Sequence, residues 1–308
     1  MNRVILDYAH SPVGLINDLT AHIVAAGGKR LRPSLTLAAS KLCGYAGERH
    51  LALAAAVEFI HTATLLHEDV VDASALRRGT ATANAVWGNA SSVLVGDFLF
   101  SRSFQLMVAD GSLEVLKALS DASAIIASGE VQQLMVSHDL AITQAVYEEV
   151  IGAKTAALFA AACEIGAIVA EKPDWRAPLR RYGQALGMAF QIADDALDYA
   201  ADAEALGKTI GDDFTEGKVT LPIILALRQA DAGERQFWEV AFSTENTLAP
   251  ETLAQAQALL KKHGAVAQTL AVAQTFAAEA EAALAPFPDS LAKTALVEAA
   301  RFAVARGY

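Results

Sequence analysis

The chain has 308 residues, 54% hydrophobic and 19% charged, 66 of them alanine; its mean hydropathy of +0.31 excludes intrinsic disorder. Twenty-four Lys+Arg against 35 Asp+Glu leave a net charge of −11, which excludes a broad nucleic-acid surface. Two cysteines in apolar settings, Cys43 and Cys163, exclude a disulfide framework and point to a reducing cytosol, so a cytoplasmic location is expected.

Met1-Asn2-Arg3 is followed by a short apolar stretch broken at Asp7, so no export signal is expected. The first break in helical spacing is Gly27-Gly28, where Lys29-Arg30-Leu31-Arg32-Pro33 places three cations in four positions; a helix should begin near Pro33. After a break at 44–49, the stripe Leu51, Ala55, Phe59, Thr62, Leu66 predicts a long helix ending in His67-Glu68-Asp69-Val70-Val71-Asp72. A loop at 78–83 precedes a segment carrying Val93, Phe100 and Phe104, which breaks at Asp110-Gly111. The longest apolar run, 156–170, falls short of the roughly 20 residues a bilayer span needs and carries Glu164, so it predicts a buried core helix and no membrane span. Past a break at 172–175, another helix leads to Phe190-Gln191-Ile192-Ala193-Asp194-Asp195-Ala196-Leu197-Asp198. Further breaks fall at 206–218, Ala232-Gly233, 248–250 and 286–288, and the stretch from Pro250 is Ala-rich and amphipathic. Strand-like alternation is absent, and roughly a dozen helices with short connectors are expected. The fold class is all-α, with one domain over 1–308, because no connector is long or polar enough to separate two.

Both acidic clusters place carboxylates at i, i+1 and i+4. On an α-helix i and i+4 lie about 40° apart around the axis and roughly 6 Å along it, so each cluster presents two acids in one direction. One such cluster alone would read as a solvated helix end. Two of them, each flanked by apolar residues, call for compensation, because acids in apolar helices are costly unless paired or metal-bound. Mg²⁺ prefers oxygen ligands and is commonly shared between one or two carboxylates and substrate phosphates. Gly27-Gly28 lets backbone approach closely, and the cations behind it suit a diphosphate. Arg77-Arg78, Lys208 and Lys218 add cations after the acidic clusters.

With these motifs in their order, the sequence resembles the all-trans polyprenyl diphosphate synthases over nearly its whole length. The resemblance rests on Gly-Gly-Lys-Arg-Leu-Arg-Pro at 27–33, Val-Glu-Phe-Ile-His-Thr-Ala-Thr-Leu-Leu-His at 57–67 and Leu-Arg-Arg-Gly at 76–79. Gly-Asn-Ala-Ser-Ser-Val-Leu-Val-Gly-Asp-Phe-Leu at 88–99, Gly-Ala-Lys-Thr-Ala at 152–156, the second acidic motif, and Gly-Lys-Val-Thr-Leu-Pro at 217–222 complete it. It implies a single all-α domain with helices around a deep central cavity, usually a homodimer. It also implies condensation of isopentenyl diphosphate with an allylic diphosphate such as farnesyl diphosphate. Lys29, Arg32, His61 and Arg78 would bind isopentenyl diphosphate. Arg77, Lys154, Lys208 and Lys218 would hold the allylic diphosphate. Glu68 and Asp72, with Asp194 and at longer range Asp198, would hold about three Mg²⁺. Thr155 and Gln191 would turn oxygens toward the developing cation.

Chain length leaves its own trace. Residues one turn before the first acidic motif line the tail tunnel in this family, and here they are the small Ala63 and Thr64. An open floor favours a long product of the kind used in quinone side chains, with Phe98, Phe100 or Phe104 as candidates for the true floor. Glu68 departs from the Asp the family has there, and Ala73 and Ala75 replace acids often seen nearby. A short-chain synthase and a non-catalytic partner subunit are therefore the alternatives.

Overall fold

The computed structural model describes residues 1–77, 79–199, 211–243 and 250–305. In chain order it forms α1 (Asn2–Ala9), α2 (Gly14–Ala25), α3 (Leu31–Leu42) and α4 (Arg49–Val71), then strands β1 (Leu76–Arg77) and β2 (Thr80–Ala81). There follow α5 (Ala83–Trp87), α6 (Asn89–Asp110), α7 (Leu113–Val136), α8 (Gln144–Ile151), a π turn (Gly152–Ala156), α9 (Ala157–Val169) and α10 (Pro173–Leu197). The remainder is α11 (Asp212–Thr215), α12 (Leu221–Gln229), α13 (Ala232–Ala241), α14 (Pro250–Lys262), α15 (Ala265–Ala283) and α16 (Leu291–Val304).

The all-α expectation holds, with one local exception. A two-stranded antiparallel hairpin pairs Leu76 with Ala81 and Arg77 with Thr80. Pairs this short carry no alternating pattern to read, and Gly79 at φ 74° is the sequence's one hint of a turn there. One helix start and one expected break, at Ala232-Gly233, also move. α3 begins at Leu31, two residues before the expected Pro33, because Arg30 takes a left-handed conformation at φ 47° and ends the loop. α13 begins at Ala232 because Asp231 caps it; its side chain accepts from the Glu234 N–H while Glu234 accepts from the Asp231 N–H.

The chain falls into two compact units. The first comprises Met1–Ala124, Leu158–Gly183 and Ala283–Val297; the second comprises Ile125–Ala157, Gln184–Ala282 and Glu298–Tyr308. No polar linker marks the division, because each unit is assembled from three stretches of chain. In the first, α4 is the central helix, packed on α3 and α6. Leu53, Ala54, Ala55, Ala56 and Val57 are all buried, as in a helix apolar all round. Phe59 and Leu66 of α4, Leu99 of α6 and Phe159 of α9 are buried as well, each stabilising by about 1.5–3 kcal/mol on burial. α9 reaches α3 closely through Gly166, where a Cβ would lie 2.5 Å from the Ala39 carbonyl carbon. In the second unit Ile192, Phe214, Leu221, Ile224, Trp238 and Phe242 form the core. The Phe214 and Phe242 rings meet edge to face at 5.3 Å.

Asn89–Asp110 and Gln144–Val169 are long and apolar enough to cross a bilayer by length and composition. In Gln144–Val169, 83% of the most apolar window is buried within the chain, as in a core helix. This agrees with the sequence-based expectation for 156–170.

Cys43 and Cys163 are both buried free thiols. Burial pushes the Cys43 thiol up to about 12 and the Cys163 thiol up as well. Neither should react in the folded chain. Thiol titration with an aromatic disulfide reagent at pH 8 should count none before denaturation and two after; a native-state equivalent would refute this.

Candidate active site

In the first unit the cationic loop is held open by glycine, Gly27 at φ 82° and Gly28 at φ 149°. It delivers Lys29, Arg30 and Arg32 to the start of α3. Arg32 Nη1 lies 3.1 Å from His61 Nε2 on α4, and its guanidinium carbon stands 4.5 Å over the Phe159 ring. The structure thus brings together two of the residues expected to bind one diphosphate, and it keeps both half-buried.

The first acidic cluster closes α4. Asp72 is its C-cap, with its N–H donating to the Glu68 carbonyl at 2.8 Å. A helix C-terminus carries the negative end of the macrodipole, so acids crowded there raise the demand for a cation. One such cation is Arg77. Its Nε donates to Asp69 Oδ1 at 2.8 Å, and its Nη2 lies 3.5 Å from Glu68 Oε2. Burial nevertheless holds the Asp69 carboxyl above the usual range, opposed by Arg77. His67 turns toward α6, 3.2 Å from the Val93 carbonyl and 3.4 Å from Asp97 Oδ1. Ala63 is buried at 1% exposure, whereas Thr64 is half-buried with its hydroxyl donating to the His61 carbonyl at 2.8 Å. Phe100 and Phe104 stack edge to face at 5.3 Å on α6.

The second unit repeats the device at the end of α10. Asp198 follows the last helical residue, and its N–H donates to the Asp194 carbonyl at 3.1 Å. Asp198 is pushed up to about 8, by burial first and then by Asp213. Asp213 donates its backbone N–H to Asp198 Oδ2 at 3.2 Å and is itself pushed up to about 6 by burial, with Lys218 opposing. Lys218 pairs with Glu216. Lys154, on the π turn, is held 3.1 Å from Glu130 Oε2 and 3.2 Å from Gln133 Oε1.

A chain of hydrogen bonds links Thr155 and Gln191 to two further residues. The Thr155 hydroxyl donates to Gln191 Oε1 at 2.8 Å, and Gln191 Nε2 donates to Asp195 Oδ1 at 2.7 Å. Tyr147 Oη donates to Asp195 Oδ2 at 2.6 Å. Both oxygens of Asp195 therefore accept, and this fixes which end of the Gln191 amide faces Thr155. Tyr147 and Asp213 had no signal of their own in the sequence. Tyr147 stands in a short amphipathic helix followed by Glu148 and Glu149, and Asp213 is one of two adjacent acids after a loop. Arg78 and Lys208 lie outside the described residues.

Among the described residues no group of three His, Cys, Asp or Glu side chains forms a finished metal site. What each unit offers is a pair of carboxylates at a dipole-negative helix end, together with acids that burial has made reluctant to ionise. That donor set fits Mg²⁺, whose remaining ligands come from water and phosphate.

The polyprenyl synthetase family model matches residues 13–260. The chain is 46% identical over 307 residues to octaprenyl diphosphate synthase of Escherichia coli, covering 99% of this chain and 94% of that one. It is 53% identical to a solved polyprenyl synthase from Caulobacter crescentus complexed with calcium and isoprenyl diphosphate, with a TM-score of 0.95 over 99% of this chain and 93% of the other. A decaprenyl diphosphate synthase structure from Rhodobacter capsulatus is 49% identical, with a TM-score of 0.94 over 99% and 94%.

Proposed function

The chain belongs to the polyprenyl synthetase family and is a long-chain all-trans prenyltransferase, and from this premise we propose how its residues work. The substrates are isopentenyl diphosphate and an allylic diphosphate of farnesyl type, and the product is a long polyprenyl diphosphate suited to a quinone side chain. Glu68, Asp72, Asp194 and Asp198 would hold about three Mg²⁺. When bound, these ions neutralise the leaving diphosphate and so ease its departure.

Lys154, Lys208 and Lys218, with Arg77, add fixed positive charge for the same leaving group. Its C–O bond breaks, and a delocalised allylic cation remains. Thr155 and Gln191 turn oxygen lone pairs toward that cation, because the Asp195–Tyr147 pair dictates the amide orientation. Lys29, Arg32, His61 and Arg78 hold isopentenyl diphosphate while its double bond attacks. The proton then lost passes to the released diphosphate. Preset charge on the leaving group is the main catalytic contribution, and the apolar surroundings keep water from the cation.

The observation that carries this reading is the hydrogen-bonded run Thr155–Gln191–Asp195–Tyr147 beside Asp194 and Asp198. It presents oriented oxygens next to acids and a lysine in one unit. The test is incubation with Mg²⁺, farnesyl diphosphate and labelled isopentenyl diphosphate, followed by sizing of products. Products many units long are expected. Absence of elongation would overturn the enzymatic reading, and a stop after one or two additions would favour the short-chain alternative.

Two further proposals concern its setting. The reduced cysteines suit the cytoplasm. A homodimer would cover the apolar side of α6, where Leu94 and Val108 are 66% and 67% exposed. Fourteen residues apart, they lie about 40° from each other around the helix. Leu94→Glu with Val108→Glu should convert the dimer to a monomer by light scattering; an unchanged mass would remove α6 from the interface.

A further inference from the structure

The three cations of the 29–32 loop have different surroundings. All three guanidinium nitrogens of Arg30 are engaged within the protein. Its Nε donates to Asn2 Oδ1 at 3.0 Å, its Nη1 to Glu58 Oε1 at 2.6 Å, and its Nη2 to the Val24 carbonyl at 3.1 Å. These partners sit on α1, α4 and α2, so one side chain ties three helices to the start of a fourth. The pair is well shielded, with side-chain exposures of 13% for Arg30 and 5% for Glu58. A buried carboxylate left without its cation is strongly disfavoured. The backbone of Arg30 is left-handed, which an L-residue adopts only when its surroundings impose it.

We infer that the Arg30–Glu58 pair is a positioning device for the isopentenyl diphosphate residues: it holds the loop in the one conformation that presents Lys29 and sets Arg32 against His61. Glu58 and His61 lie three residues apart on α4 and so share a face. The same stretch of helix therefore anchors Arg30 and receives Arg32. A planar fork suits the task because three partners in different directions need a rigid donor set; a lysine could satisfy the charge but not the geometry. The inference deepens the proposed function and rests on its assignment of Lys29, Arg32 and His61.

The experiment compares the full-length wild type with Arg30→Met, Glu58→Gln and Arg32→Met. It measures KM for isopentenyl diphosphate, KM for farnesyl diphosphate, kcat, and thermal melting. Arg30→Met and Glu58→Gln should raise KM for isopentenyl diphosphate by about tenfold while leaving that for farnesyl diphosphate within about twofold. A merely structural role would move both constants together or neither. If Arg30→Met does not fold, Glu58→Gln, which keeps the shape of the side chain, decides alone. A selective rise in Glu58→Gln supports the inference, and an unchanged constant overturns it. Arg32→Met separates the two levels. No effect there removes the site assignment and the inference with it, whereas an effect there with none from Arg30→Met or Glu58→Gln overturns the positioning role alone.

Discussion

Asp194→Asn is expected to lower kcat by about 10²- to 10⁴-fold while the protein stays folded. The substitution keeps size and shape and removes one charge at the C-terminal end of α10, where the helix dipole already disfavours acids. Asp194 is half-buried, its volume is kept, and the neighbouring Asp195 still accepts from Tyr147 and Gln191. Structural cost should therefore be small. The effect should fall on the cation that the acidic end attracts, so the Mg²⁺ concentration giving half-maximal rate should rise as kcat falls. Steady-state kinetics across a Mg²⁺ titration, with circular dichroism as the control for folding, check both halves. A variant within about threefold of wild type at every Mg²⁺ concentration would show that Asp194 holds no ion.

Ala63→Phe should shorten the product. Ala63 lies on α4 five residues before Glu68 and is 1% exposed, so nothing larger than a methyl group occupies the position now. Forcing a ring into a closed core costs about 1–3 kcal/mol. A ring entering a channel that otherwise holds the growing chain costs little and blocks elongation. The two cases separate cleanly: shortened products with a nearly unchanged melting temperature indicate a channel wall, whereas a lowered melting temperature with products of wild-type length indicates ordinary core. Thr64 is the natural comparison, because its hydroxyl is already satisfied by the His61 carbonyl and Thr64→Ala removes little.

The helices, the acidic ends and the cationic loop could be read from residues because each repeats a local rule: apolar spacing of 3.6, acids at i and i+4, glycines before a helix start. What escaped depended on partners far along the chain. Arg30 reads only as one of three loop cations that suit a diphosphate, and the partner that holds it, Glu58, lies 28 residues on. Asp195 looked like the second acid of a metal motif, yet its partner Tyr147 lies 48 residues earlier. The start of α3 was misplaced at Pro33 because the local preference of proline for a first turn says nothing of a left-handed arginine before it. The strands of the hairpin were too short for periodicity to register. The roles implied for Arg77 and Lys154 now carry named neighbours, Asp69 and Glu130, which the spacing of motifs could not supply.

The π turn at Gly152–Ala156 has a geometric consequence. Tyr147 and Thr155 are eight residues apart, and on an unbroken α-helix eight steps of about 100° would leave them about 80° out of line. Both nevertheless reach α10, at Asp195 and at Gln191. A wider turn advances each residue through a smaller angle and takes up most of that difference. The segment therefore acts as a phase corrector between α8 and α9. Deleting a single residue within it would leave seven steps of about 100°, about 20° from two full turns, so an ordinary α-helix would still face the threonine toward its glutamine; inserting a residue would swing it away, an error of rotation that no exchange of side chains could restore.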